Sequence, residues 1–405
     1  MPSPLASTQP SEPHGDAKRR LAAAVDQARE EILDLSHRIH ANPEPAFEEH
    51  QASAWVAETL RRHGYDVEHP AGRLATAVRA RLRGSAAETG ARVGVLAEYD
   101  ALPGLGHGCG HNTMAASGVG AAIALAALRD AFGGEIVFLG TPAEEMGSGK
   151  QYMIDDGLFD GLDAALLYHP CDRNHVDIAP LASEDVHVTF AGLQSHAAAD
   201  PWQGKNALDA MILLFSAVGL WRQQLRPEAR VHGIIQDGGT AANIIPDRTK
   251  AWFMLRSPDR AEYEQIKARF QEIAKGAALA TDTQVEVAFS GGATTMKTNR
   301  ALAERWVANA AAYGIEDQGL DPSSGSTDMG NVSWVVPAIH PDLAIAPEGT
   351  PGHSHAFRDA AATSRADETT LLAATLVAQT AWDLLSDPQL VARVRREFAE
   401  GPGRA

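Results

Sequence analysis

The chain has 405 residues, 44% of them hydrophobic and 21% charged; these are globular values for a chain too long for one core, so two domains are expected. A formal net charge of −17 argues against nucleic acid or an anionic membrane as partner, but not against an anionic small molecule at a locally positive site. Two cysteines make no disulfide framework, which fits a reducing, cytoplasmic setting.

Residues 1–16 are rich in Pro, Ser and His and lack an apolar stretch, so a disordered tail is expected rather than a signal peptide. Helical periodicity runs over Ala17–His40, stops at Asn42-Pro43 and resumes over Glu48–His63. Strands are expected at Ala75–Leu82 and Arg92–Ala97, followed by an Ala- and Gly-rich helix over Thr113–Arg129. Its apolar part, Met114–Leu128, is too short and too Gly-rich to favour a bilayer. Glu135–Leu139 and Asp163–Tyr168 read as strands, with a helical stretch over Lys150–Asp156 between them. This β-α-β-α-β order implies a largely parallel sheet.

From Glu184 the pattern changes. Glu184–Ala191 alternates cleanly, Lys205–Gln224 is an amphipathic helix, and strands at Val231–Gln236 and Thr249–Arg256 precede a helix at Arg260–Lys275 and a strand at Gln284–Phe289. That βαββαβ order is the ferredoxin-like arrangement. After Asn299 the α/β character returns, ending in helices at Glu368–Leu385 and Gln389–Glu400. The expected architecture is α/β: a discontinuous domain (17–183 and 293–405) with a mostly parallel central sheet, interrupted by an inserted domain (184–292).

The ionisable residues fall where open α/β sheets carry their sites, beyond the C-terminal ends of strands. Glu98 and Asp100 follow one strand, Glu144 and Glu145 a second, His169 a third. Cys109-Gly-His111 taken alone is a tight turn with a buried thiol, and His169 or His353 alone is a satisfied histidine. Glu144-Glu145 in a Gly-rich loop after a buried strand is a different matter, because two uncompensated charges there are unfavourable and a divalent cation resolves the conflict.

The run Ala97-Glu-Tyr-Asp-Ala-Leu-Pro through Gly108-Cys-Gly-His-Asn112 closely resembles the M20 metallopeptidase and amidohydrolase family, in its branch D of aminoacylase-, hippurate-hydrolase- and aminobenzoyl-glutamate-hydrolase-like enzymes. Gly140-Thr-Pro-Ala-Glu-Glu145, Ser195-His-Ala-Ala198, Gly238-Gly-Thr-Ala-Ala-Asn-Ile-Ile-Pro246 and Ser324-Gly-Ser-Thr-Asp-Met-Gly-Asn331 extend the likeness over nearly the whole chain. The resemblance implies two divalent ions in each protomer (Zn2+, Mn2+ or Co2+) bridged by Cys109, with His111 and Glu145 on one and His169 and His353 on the other. His353 is preferred to His355 because the family pattern His-Ser/Thr-x-x-aromatic reads here as His353-Ser-His-Ala-Phe357. Glu144 is then the general base, and Asp100 orients a ligand imidazole. Many members carry a ligand histidine two residues before that Asp; this chain has Glu98, for which a solvated or salt-bridged carboxylate is expected.

The resemblance further implies that the inserted domain is a dimerisation and lid domain, with His196 stabilising the oxyanion from the partner protomer of a homodimer. Asn243 and Arg256 are the expected substrate contacts, although Arg256 fits a structural salt bridge equally well, and Ser326, Thr327 and Asp328 are candidates for the pocket lining. The expected activity is metal-dependent cleavage of an N-acyl or N-aroyl amino acid, or of a small dipeptide, bearing a free carboxylate. Three rivals remain: hydrolytic deamination of an aromatic amine on the same centre, a non-catalytic binding protein of this fold, and a hydrolase using Cys109 as nucleophile.

Overall fold

The computed structural model describes residues 13–86, 90–321 and 325–401, which divide into two compact units. In chain order the first unit opens with helices α1 (Pro13–Gln27), α2 (Arg29–Ala41) and α3 (His50–Arg62) and strands β1 (Asp66–Glu68), β2 (Val78–Arg83) and β3 (Arg92–Glu98). It continues through α4 (His111–Ala127), β4 (Glu135–Thr141), α5 (Gly149–Asp155), β5 (Ala164–Leu166) and β6 (His169–Cys171). The second unit holds β7 (Ala182–Ala191), α6 (Ala207–Trp221), β8 (Arg230–Asp237), β9 (Arg248–Ser257), α7 (Arg260–Ala280) and β10 (Gln284–Ala293), together with residues 325–330. The remaining elements are α8 (Arg300–Ala311), α9 (Met329–Ser333), β11 (Ala338–Ile339), β12 (Asp342–Ala344), α10 (His355–Ala360), α11 (Ser364–Ser386) and α12 (Pro388–Glu400).

Two expectations change at the N-terminus. Pro13–Asp16 belong to α1 rather than to a disordered tail, Asp16 adding a favourable charge in the first turn; residues 1–12 lie outside the described residues. The long helix expected over Ala17–His40 is interrupted at Ala28, whose N–H still bonds the Ala24 carbonyl at 3.1 Å.

The main sheet has the order β1-β2-β4-β3-β5-β11. Strands β4, β3, β5 and β11 run parallel, while β2 pairs antiparallel with both β1 and β4. Strands β6 and β12 form a separate parallel pair. Helix α4 is apolar on every side because it is buried on every side, from His111 to Leu125. Its glycines allow that approach: a Cβ on Gly118 would stand 2.9 Å from the Leu96 carbonyl, and one on Gly120 2.8 Å from Ile32 Cδ1. The first residue of this tightly held helix is His111, so a functional side chain starts from rigid scaffold.

In the second unit the order β10-β7-β9-β8 is wholly antiparallel, the strand order of a ferredoxin-like sheet. Alternation decides its faces: Val186, Val188 and Phe190 of β7 and Ala251, Phe253 and Leu255 of β9 are buried with residues of α6 and α7. Among the described residues no helix is long and apolar enough to cross a membrane.

Candidate metal centre

The parallel strands of the first unit deliver their following loops to one place. Glu98 is the last residue of β3, and Asp100 lies two residues on. The chain returns through Cys109 and Gly110 to His111 at the start of α4. Gly110 takes φ 78°, and a Cβ there would meet Pro170 Cγ at 2.8 Å, so the Cys-Gly-His turn requires glycine at its centre. Beyond β4, Ala143 is held at φ 60° and its N–H donates to Glu49 Oε1 at 2.8 Å. Glu49 is buried and also accepts from Thr76 Oγ1 and the Phe47 N–H, so it pins the loop that carries Glu144 and Glu145. At Gly149 a Cβ would stand 1.8 Å from the Pro142 carbonyl, which closes the other side of that loop to any side chain. His169 opens β6, and His353, at φ 54°, donates its N–H to the Gly108 carbonyl at 2.9 Å.

Three sets of ligand atoms result, each with its members within 4.8 Å of one another: Cys109, His111 and His169; Cys109, Glu145 and His353; and Glu98, His111 and Glu144. Cys109 is common to the first two. The resemblance grouped His111 with Glu145 and His169 with His353, whereas here Glu145 lies beside His353 and His111 beside His169. His355 belongs to none of the three sets. The adjacent glutamates part company, Glu144 joining His111 and Glu145 joining Cys109.

The donor atoms fit a cation. Two ligands sharing one tetrahedral Zn2+ with bonds of ~2.0–2.3 Å stand about 3.3–3.6 Å apart. Cys109 Sγ and His169 Nε2 are 3.4 Å apart, and Glu145 Oε2 and His353 Nε2 3.3 Å. His111 Nε2 and Glu145 Oε1 are buried with no hydrogen-bond partner, a costly state that a bound ion would relieve. His111 Nδ1 meets Asp100 Oδ1 at 3.1 Å, and Asp100 Oδ2 accepts the Glu145 N–H at 2.9 Å. Asp100 thus orients a ligand ring and the neighbouring loop together.

Burial sets the ionisation of the donors in different directions. Burial, then the Glu145 charge, pushes the Cys109 thiol well above its ordinary range, so without a cation it is a neutral thiol and a poor nucleophile. Burial, helped by His111 and His353, pushes His169 down to about 3, which leaves a neutral imidazole with a free lone pair. Burial opposes charge on His111, but the hydrogen bond and the negative charge of Asp100 outweigh it and hold that imidazole well above the usual range. Burial raises the Glu145 carboxyl despite His111 and His353.

The residues expected from the inserted domain belong to the second unit, described here by itself. His196 is exposed and its Nδ1 accepts from the Ala198 and Ala199 N–H groups, which leaves Nε2 outward. The neighbouring Ala197 N–H bonds the Asn243 carbonyl at 3.1 Å, so His196 and Asn243 sit on adjacent segments. The Arg256 guanidinium donates to Met254 Sδ, at 2.8 and 3.1 Å, and pairs with no carboxylate among the described residues. Ser326 is exposed, while Thr327 and Asp328 are buried, Thr327 Oγ1 accepting the Met329 N–H.

Sequence reasoning passed over Lys150, whose ammonium is fully buried and lies 2.5 Å from Glu98 Oε1. It also passed over His340, whose ring lies 5.3 Å from that of His169, and Asp342, whose Oδ1 is 3.7 Å from His169 Nδ1. Glu98, expected to be a solvated or salt-bridged carboxylate, is an ion-paired group buried from solvent.

With that geometry in hand, comparison with known proteins is direct. Residues 94–381 match peptidase family M20/M25/M40. The chain belongs to peptidase family M20. Among curated M20 relatives, the Xaa-Arg dipeptidases of Mus musculus and Homo sapiens are 38% and 37% identical to it, each spanning 94% of this chain and 92% of its own length. A p-aminobenzoyl-glutamate hydrolase polypeptide of Escherichia coli is 28% identical over 93% of this chain and 94% of its own. In fold the chain is similar to a putative aminohydrolase from methicillin-resistant Staphylococcus aureus, with a TM-score of 0.78 at 19% identity, covering 91% of this chain and all of that one. It is also similar to a dinuclear metal-binding peptidase of the M20 family from Bacillus subtilis, with a TM-score of 0.67 at 20% identity over 89% and 99% of the two chains. This M20 chain is a hydrolase of amide bonds, like the acyl amino acid amidohydrolases and peptidases it matches.

Proposed function

We propose that the protein hydrolyses an amide next to a free carboxylate in a dipeptide or N-acyl amino acid, at a dinuclear centre with Cys109 common to both ions. The observation that carries this reading is the pair of ligand sets sharing the Cys109 sulfur. Divalent cations held there supply a lowered pKa for water and a polarised scissile carbonyl. Glu144 takes the proton from the attacking water and returns it to the leaving nitrogen. Asp100 keeps the His111 ring in place through Nδ1. His196, offered by the second protomer of a homodimer, donates a hydrogen bond to the oxyanion through the nitrogen its turn leaves open.

Arg256 and Asn243 take the substrate carboxylate, with Ser326, Thr327 and Asp328 lining the pocket. The lack of an acidic partner among the described residues favours the substrate role of Arg256 over the salt bridge that fitted the sequence equally well. The homodimer is supported by exposed apolar residues on the second unit: Ile212, Leu213 and Leu220 of α6, and Ile234 and Ile235 of the edge strand β8.

Names of the relatives order the substrates to try. Dipeptides ending in arginine come first and aminobenzoyl-glutamate second; hippurate, indoleacetyl-aspartate and β-alanyl dipeptides complete the panel. Protein reconstituted with Zn2+, Mn2+ or Co2+ is expected to release the C-terminal amino acid from at least one of these, and to lose that activity when the substrate carboxylate is amidated. Equal rates on the amidated substrate would remove Arg256 and the free carboxylate from the account. Release of ammonia in place of the amino acid would transfer the reaction to deamination.

A further inference from the structure

Glu98 and Lys150 are buried at the centre and have no part in the reading above. Glu98 ends β3, its side chain 1% exposed, and Lys150 belongs to the first turn of α5 with a side chain 0% exposed. The Lys150 ammonium engages Glu98 Oε1 at 2.5 Å. Glu98 Oε2 is buried, has no hydrogen-bond partner, and lies 3.3 Å from His111 Nε2, itself without one. A carboxylate oxygen and an imidazole nitrogen that approach this closely without forming a hydrogen bond do not satisfy each other. Their separation matches the roughly 3.3 Å between two ligands of one tetrahedral ion with ~2.0–2.1 Å bonds. Leaving both buried atoms unsatisfied is otherwise unfavourable, most of all for a charged group.

We propose that Glu98 is a further metal ligand, giving Oε2 to the ion served by His111, and that Lys150 is the positioning residue that fixes it. This rests on the dinuclear reading above and adds a ligand to it. Lys150 occupies one carboxylate oxygen, which restricts Glu98 to a single donor and turns that donor toward His111. It also brings a positive charge into a pocket where Glu98, Asp100, Glu144 and Glu145 crowd together. A buried lysine paired to a buried carboxylate is a weak stabiliser in its own right, so a purely structural role explains its presence poorly.

Zn2+ titration with metal analysis, and the visible spectrum of Co2+-loaded protein, test the assignment without reference to turnover. Wild-type protein is expected to hold two ions. Glu98→Gln is expected to weaken one of them by more than about a hundredfold, beyond the ~10–100-fold effect of an outer-shell partner, and to leave the other within threefold. Lys150→Met is expected to alter the Co2+ spectrum of that same ion. Because either single change strands a buried charge, the double variant E98Q/K150M is the control: it should be more stable than Glu98→Gln alone and still bind one ion weakly. Wild-type affinity for both ions in Glu98→Gln, or recovery of stability and affinity together in the double variant, would reduce the pair to a structural ion pair. A wild-type Co2+ spectrum in Lys150→Met would remove its positioning role. Wild-type protein that binds no ion would overturn the dinuclear reading, and this assignment with it.

Discussion

Glu144→Gln is expected to leave the protein folded and loaded with metal while lowering kcat by roughly 10²–10⁴-fold, the usual contribution of a positioned general base. The expectation follows from how the loop after β4 separates two adjacent carboxylates. Glu145 is drawn against Cys109 and His353, 3.3 Å from the latter, and its Oε1 has no other partner. Glu144 instead faces His111 and Glu98 and remains partly open to solvent, where a water and a substrate can reach it. The loop backbone is held on both sides of Glu144, by Glu49 at the Ala143 N–H and by Asp100 at the Glu145 N–H, so the loop is expected to keep its course in the amide. The amide should therefore alter proton transfer and little else, lowering kcat and kcat/KM together. Retention of wild-type kcat would move the base to another residue; loss of metal along with turnover would make Glu144 a ligand.

Cys109→Ala is expected to have the broader effect: loss of both ions at micromolar metal, and with them all measurable turnover. A shared ligand serves both sites, so its removal should exceed the ~10–100-fold loss of affinity seen for an outer-shell partner. The same substitution separates the metal reading from a cysteine nucleophile. A nucleophile variant would lose turnover but keep its metal, and the wild-type thiol would alkylate rapidly. The Cys109 thiol is instead pushed well above its ordinary range by burial and by Glu145, and a thiolate held by metal reacts only after the metal leaves. Iodoacetamide should therefore label Cys109 faster after chelation than before.

Much of this centre was legible from the sequence because its chemistry is local to strand ends. The apolar runs ending near Ala97 and Leu139 fix where β3 and β4 stop, and Asp100, Glu144 and Glu145 follow within a few residues. The βαββαβ order of the second unit was legible too, since its strands alternate over nearly their full length. The three-residue strands β1, β6 and β12 are too short to carry a period, and their pairing is decided by contacts distant in sequence. The insertion of β2, antiparallel, beside β4 is likewise a tertiary choice. Lys150 was invisible for a different reason: lysine is among the residues least often buried, and nothing in Gly-Ser-Gly-Lys150 signals that this one is. The interruption at Ala28 has no Pro or Gly to announce it, and the residue remains hydrogen-bonded to the preceding turn.

The central claim is that Cys109, His111, Glu145, His169 and His353 hold two catalytic ions. Metal content and turnover measured on the same samples during chelation test it most directly, using whichever substrate the hydrolysis panel identifies. The account predicts two equivalents of divalent metal per chain in active protein, turnover falling as they are withdrawn, and recovery when Zn2+, Mn2+ or Co2+ is returned. Full turnover in protein stripped of metal would contradict it.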